Sequence, residues 1–158
     1  MQNLPAQYLS PNQAPSPCDS APDNVIPIAP RKRARVLVMD DEAPILELTA
    51  RLLSARGYEV HTALDGDQAV LQYRNALNAG IRFDAVILDL TVPEKMGGYD
   101  AFKAMREMDP TVRAVVSSGY SHEPIVLNYK EYGLASIAPK PYRVGELLGA
   151  VEQALRKD

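Results

Sequence analysis

The chain has 158 residues, of which 46% are hydrophobic and 23% charged, and its formal net charge is -3. This length suits one ordinary domain with some extra chain, and the nearly balanced charge argues against a nucleic-acid-binding surface, which needs a clear positive excess. Because Cys18 is the only cysteine, an intrachain disulfide is excluded, and because no apolar run is long enough to cross a membrane, we expect a soluble, cytoplasmic protein without membrane contact.

Residues 1–34 differ from the rest of the chain in composition. They contain seven of the 13 prolines, and Ser, Asn, Gln and Asp fill much of the remainder. Proline blocks helix interiors and removes backbone donors, and this stretch has neither helical nor strand periodicity. We therefore predict a Pro-rich linker or disordered arm over residues 1–34 and a folded domain over residues 35–158.

The first regular elements follow this stretch directly. Residues 36–39 are an apolar strand candidate. Ile45, Leu48 and Leu52 then recur at the spacing of one helix face, which predicts a helix that stops near Gly57.

The alternation of apolar runs and amphipathic stretches continues to the end of the chain. In order, the sequence predicts a strand at 58–61, a helix at 67–77 with Ala69, Val70 and Tyr73 inward, a strand at 85–88, a helix at 99–108, a strand at 114–116, a helix at 123–132, a strand at 135–138 and a last helix lined by Val144, Leu148, Val151 and Leu155. Continuous apolar strands are typical of a parallel sheet buried on both faces. Five β–α units in strict alternation predict a doubly wound α/β domain with right-handed crossovers.

Polar residues follow four of the five predicted strands. Asp40 and Asp41 follow the first strand, Asp89 the third, Ser118 the fourth and Lys140 the fifth. In doubly wound sheets, ligands bind at the carboxyl ends of the strands. We therefore expect three carboxylates, one hydroxyl and one ammonium group to share one edge of the sheet.

This set of groups suits phosphoryl transfer. Clustered carboxylates raise one another's pKa values, and a hard cation such as Mg²⁺, which prefers oxygen ligands, relieves that cost. Asp89 can then act as the nucleophile that forms an acyl phosphate, while Lys140 and Ser118 cover other phosphoryl oxygens. Taken singly, each residue also fits a structural role, such as capping of the next helix by Asp40 or Asp41; the coincidence of all of them at strand ends favours a site.

These residues resemble the receiver domain of two-component response regulators over residues 35 to about 157. The matching motifs are VLVMDDE at 36–42, VILDLTVP at 86–93, VVSSG at 115–119 and PKP at 139–141. The resemblance implies a flavodoxin-like, five-stranded parallel sheet in the order 2-1-3-4-5 with five helices.

The resemblance also implies a role for each acidic residue. Asp89 is the phosphoacceptor. Asp41 is a direct ligand of Mg²⁺, Asp40 acts on the ion largely through water, and the backbone carbonyl of Thr91 is the third protein ligand beside Asp41 and Asp89.

Two further roles and two departures follow from the same comparison. Ser118 corresponds to the switch hydroxyl and Lys140 to the phosphate-pairing lysine, with a cis bond expected between Lys140 and Pro141. Ile137 stands where the family often has an aromatic residue that reorients on activation, and the loop at 94–98 looks one residue longer than usual.

The resemblance implies a histidine kinase or histidine phosphotransfer domain as partner, and a signalling receiver rather than a conventional enzyme. The Met-Gly-Gly loop and the SSGYS run at 117–121 are similar to receivers of hybrid sensor histidine kinases. We therefore expect an excised C-terminal receiver of such a kinase, with a stand-alone response regulator as the alternative. A dimer through the last helix–strand–helix face is a further option.

Three other classes of protein fit the sequence less well. An aspartyl-nucleophile phosphohydrolase needs a second acid two residues after its nucleophile, where Thr91 stands. A dinucleotide-binding enzyme needs a Gly-rich turn after its first strand, where residues 40–42 are acidic. A receiver-like scaffold that is never phosphorylated does not need the complete set of site residues.

Overall fold

The computed structural model describes residues 33–156. Its elements in chain order are β1 (Arg35–Met39), α1 (Ala43–Ala55), β2 (Glu59–Ala63), α2 (Gly66–Asn78), β3 (Ala85–Asp89), α3 (Gly98–Met108), β4 (Ala114–Ser118), α4 (Pro124–Leu127), β5 (Ser136–Pro139) and α5 (Val144–Leu155). The predicted arm at 1–34 lies outside the described residues except for its last two. No helix within 33–156 is long and apolar enough to span a membrane.

The five strands form one parallel sheet in the order β2-β1-β3-β4-β5. This confirms the predicted flavodoxin-like topology with five helices. Since β1 and β3 are neighbours, Met39 lies opposite Leu88. The residues that follow these two positions therefore emerge side by side at the carboxyl edge of the sheet.

The sheet is covered on both faces because its side chains alternate between two apolar layers. Leu37 packs in the layer formed with α2 and α3, which includes Phe102. Val36 packs in the opposite layer, which includes Leu53 of α1 and Leu147 of α5. Both faces are thereby closed to water, and polar groups are left to collect at the ends of the strands.

The apolar face predicted for α1 is only partly right, since Leu52 packs partly buried against the core but the fully buried face lies one residue further along. Leu48 of that face is 53% exposed. The buried residues of α1 are Leu46, Thr49 and Leu53. Both sets have the same helical spacing. The buried set was not recognised in the sequence because Thr49, its middle member, is polar. The face of α5 was partly right: Leu148 and Val151 are buried, but Val144, the first residue of the helix, is 43% exposed.

The helix predicted at 123–132 is much shorter in the structure. Regular α4 ends at Leu127, and Asn128 follows with φ -119° while its side-chain amide donates to the carbonyl of Pro124. Asparagine competes in this way for backbone groups and so interrupts helices. Turns continue to Gly133, whose φ of 83° ends the segment at the predicted stop.

Candidate functional site

Three carboxylates meet at the carboxyl edge of the sheet. Asp40 and Asp41 follow β1, and Asp89 is the last residue of β3. One oxygen of each lies within 4.8 Å of the others. Asp40 and Asp89 are buried and Asp41 is exposed, so the cluster opens to solvent on the side of Asp41.

Lys140 reaches this cluster from the end of β5. Its Nζ lies 2.6 Å from Oδ2 of Asp40 and 2.9 Å from Oδ2 of Asp89, and its side chain is only 14% exposed. The Lys140 amide donates to the carbonyl of Ser118 at 2.9 Å, which holds the turn beside β4. The Lys140–Pro141 bond is cis, as predicted.

The charges at this edge are incompletely balanced. Burial raises the pKa of Asp89, and Asp40 adds to this effect, although Lys140 and the Thr91 amide oppose it. Burial alone would lower the pKa of Lys140, but hydrogen bonds and charge interactions with both carboxylates outweigh it and hold the pKa above its ordinary value. One charged ammonium group therefore neutralises two buried carboxylates only in part, and ionisation of Asp89 remains less favourable than that of an exposed aspartate.

The two oxygens of Asp40 face different partners. Its Oδ1 accepts from the Glu42 amide at 2.9 Å. Its buried Oδ2 faces Lys140 Nζ at 2.6 Å and has no other partner among residues 33–156. The all-oxygen donor set of the three clustered carboxylates fits a hard divalent cation.

A cleft of about 490 Å³ lies over the carboxylates. Its walls include Asp41, Asp89, Thr91, Pro93, Tyr120 and Lys140. The Thr91 amide donates to Oδ1 of Asp89 at 3.2 Å, which folds the start of the β3–α3 loop over that carboxylate. Of the residues predicted for the site, Asp40, Asp41, Asp89, Thr91 and Lys140 are thus brought together.

Ser118 lines a second cavity and not the cleft over the carboxylates. Its hydroxyl accepts from the Tyr120 amide at 3.0 Å. The residue lines a second, mainly apolar cavity of about 390 Å³ together with Tyr129 and Ile137. The Ser118 hydroxyl is therefore engaged by the Tyr120 amide, and no hydrogen bond joins it to any of the three clustered carboxylates within residues 33–156.

Sequence reasoning missed two residues near the site. Tyr120 is 65% exposed on the rim of the cleft. Tyr142, two residues after Lys140, shares a 2.5 Å hydrogen bond with the hydroxyl of Ser117 on β4. The position of Tyr142 directly after the Pro-Lys-Pro motif was the available signal, but its partner lies 25 residues away in sequence.

Comparison of the sequence with known proteins finds one matching family and several similar proteins. The response regulator receiver domain family matches residues 36–152. The transcriptional regulatory protein PrrA of Mycobacterium leprae is 36% identical over 78% of this chain, and the sensor kinase CckA of Brucella abortus is 30% identical over 78%. The chain spans 50% of the length of PrrA and 13% of that of CckA.

Solved structures show the same fold. A chain in the crystal structure of the CheX-CheY-BeF3-Mg complex from Borrelia burgdorferi superposes with a TM-score of 0.71 at 26% identity. The match covers 78% of this chain and 90% of the other.

Proposed function

This chain belongs to the response regulator receiver domain family, and on that premise we propose that it receives a phosphoryl group on Asp89 with the help of Mg²⁺. The observation that carries the proposal is the position of the Asp89 carboxylate. It lies 2.9 Å from the Lys140 ammonium, beside two more carboxylates and under an open cleft.

In this proposal Asp41, Asp89 and the Thr91 carbonyl bind Mg²⁺, and Asp40 acts on it largely through water. Mg²⁺ would neutralise charge on the phosphoryl oxygens. The cluster of three carboxylates around one ammonium group and the raised pKa of Asp89 support the assignment, because both describe negative charge that the protein alone does not fully compensate.

The remaining chemistry is done by the chain's own residues. A carboxylate oxygen of Asp89 attacks the phosphorus of a phosphohistidine, the P–N bond breaks and its electron pair stays with the departing imidazole. Lys140 pairs with the transferred phosphoryl group. Ser118 donates a hydrogen bond to that group through its hydroxyl, which in this structure accepts from the Tyr120 amide.

The proposed donor is a histidine kinase or a histidine phosphotransfer domain, so the chain acts as a cytoplasmic signalling receiver. The similarity to part of the sensor kinase CckA supports a receiver within a hybrid histidine kinase. The alternative is a stand-alone response regulator.

Phosphorylation by acetyl phosphate and Mg²⁺, followed by intact-mass measurement, tests the assignment of Asp89. Wild type should gain one phosphoryl mass increment, and Asp89→Asn should gain none. Asp100→Asn is the matched control because Asp100 is an exposed aspartate of α3, and it should react like wild type. A phosphoryl increment that persists in Asp89→Asn would refute the proposal.

A further inference from the structure

The β3–α3 loop, residues 90–97, is joined to the N-terminus of α2 by two adjacent contacts. Lys95 Nζ lies 2.8 Å from Oδ2 of Asp65. One residue on in each segment, the Gly66 amide donates to the carbonyl of Met96 at 2.9 Å. A side-chain ion pair and a backbone hydrogen bond thus join the same two segments.

The ion pair is more than a surface contact. The side chain of Asp65 is only 7% exposed, whereas that of Lys95 is 54% exposed. Asp65 also caps α2, where its Oδ1 accepts from the Gln68 amide at 2.9 Å. Lys95 therefore provides the counter-charge for a buried carboxylate, and loss of one partner from such a pair costs more than loss of an exposed pair.

The backbone on both sides is shaped for this contact. A Cβ on Gly66 would lie 2.6 Å from the carbonyl oxygen of Met96, and a Cβ on Gly98 would lie 2.4 Å from that of Asp89. Glu94 has a φ of 61°, in the left-handed region that non-glycine residues rarely adopt. The loop is consequently curled tightly between the end of β3 and the start of α2.

The curled loop continues from Thr91, which carries the proposed metal-binding carbonyl. We propose that the Asp65–Lys95 ion pair and the Gly66–Met96 hydrogen bond form a clasp that holds the β3–α3 loop in place. Asp65 and Lys95 are then positioning residues for the Thr91 carbonyl. The effect on metal binding rests on the proposed function; the clasp itself does not.

A simple charge effect makes a different prediction. Asp65 raises the pKa of Lys95 most strongly, and Asp67 and Asp41 add to this. The Lys95 ammonium group therefore also interacts electrostatically with Asp41 in the cleft. If charge alone mattered, Lys95→Gln would strengthen Mg²⁺ binding because it removes a positive charge that repels the ion. Asp65→Asn would weaken Mg²⁺ binding because it removes a negative charge that attracts the ion. The clasp predicts weaker binding in both variants, although their charge changes are opposite.

Calorimetric titration of Mg²⁺ into these variants separates the two cases. Lys95→Gln and Asp65→Asn should each lower the affinity about three- to tenfold, less than the roughly 10–100-fold typical of partners bonded directly to metal ligands. Asn remains a good helix cap at position 65. The double variant should be no worse than either single one, and Lys95→Arg should retain near wild-type affinity.

Lys103→Gln is the matched control. Lys103 pairs with Asp100 at 2.7 Å and is also 54% exposed, but its partner is 65% exposed. The Mg²⁺ affinity of this variant should stay at the wild-type value. Opposite changes in Lys95→Gln and Asp65→Asn, or equal losses in Lys103→Gln, would overturn the clasp as a positioning device.

Hydrogen exchange in the metal-free protein tests the clasp without the metal. The Gly66 amide should exchange faster in Lys95→Gln and Asp65→Asn than in wild type, while the midpoint of urea unfolding reports any global loss of stability. Unchanged exchange at Gly66 would overturn the clasp. If wild type failed to bind Mg²⁺, the proposed metal site would fail, and the exchange result would still decide whether the clasp exists.

Discussion

The Ser117–Tyr142 pair is a part-buried polar contact close to the candidate site. Ser117 is fully buried, and burial raises the pKa of Tyr142 above its ordinary value. The 2.5 Å hydrogen bond between their hydroxyls ties β4 to the segment that follows Lys140. Each hydroxyl satisfies the other in this part-buried position.

Removal of one hydroxyl from this pair should cost stability. We expect Tyr142→Phe to lower the free energy of unfolding by about 1–3 kcal/mol, since the Ser117 hydroxyl is left buried without its partner. The double variant Ser117→Ala/Tyr142→Phe should recover much of that loss. Urea unfolding of the single and double variants measures both effects, with Tyr120→Phe as an exposed control. Strictly additive losses would contradict this account.

At the level of elements, two helical glycines occupy opposite environments. Gly149 lies on the exposed side of α5, and a Cβ built there meets nothing within 4 Å. Gly66 begins α2, where a Cβ would approach the carbonyl oxygen of Met96 to 2.6 Å. Helix propensity favours alanine over glycine inside a helix, but at Gly66 the backbone and the side chain of Met96 stand where a Cβ would lie.

Substitution of each glycine by alanine should therefore have opposite effects. We expect Gly149→Ala to raise the free energy of unfolding by about 0.5–1 kcal/mol. Gly66→Ala should lower it by about 1–3 kcal/mol, because the Met96 backbone has to move. Chemical denaturation of both variants gives the comparison, and a stabilised Gly66→Ala would show that the β3–α3 loop is not packed tightly against α2.

At the level of the whole molecule, Asp109 joins several segments at the edge of the sheet opposite the candidate site. Tyr73 of α2 donates its hydroxyl to Oδ2 at 2.9 Å, and Thr111 donates its amide and hydroxyl to Oδ1. Arg82 lies 3.9 Å from the same carboxylate. Burial alone would raise the pKa of Asp109, but the hydrogen bonds from Thr111 and Tyr73, together with the charge of Arg82, outweigh it and lower the pKa.

This lowered pKa predicts a pH dependence of stability. The stabilisation is present above the ordinary carboxyl pKa of about 3.9 and is lost as the pH falls through the lower pKa of the folded state. Asp109→Asn should therefore be less stable than wild type near neutral pH and should lose less stability on acidification. Urea unfolding at about pH 6 and about pH 2.5, on either side of that carboxyl pKa, measures the difference. Equal losses in both proteins would contradict the prediction.

The sequence by itself determined the strands, the class of fold and the residues that meet at the carboxyl edge. Continuous apolar runs such as residues 85–88 predict buried parallel strands wherever they lie in the sheet. The residue that follows a strand is determined locally, so Asp40, Asp89 and Lys140 were predictable as neighbours once the sheet was assumed. The strand order came from the family resemblance, since periodicity does not specify which strands pair.

The tertiary structure decided which helix face is buried, where α4 ends and where each side chain points. Two adjacent faces of α1 have the same helical spacing, and only packing against the sheet selects the one with Leu53. The hydroxyl of Ser118 accepts from the Tyr120 amide, a contact that depends on how the loop after β4 folds. The Asp65–Lys95 contact joins residues 30 positions apart, and such pairs form only where the fold brings two loops together.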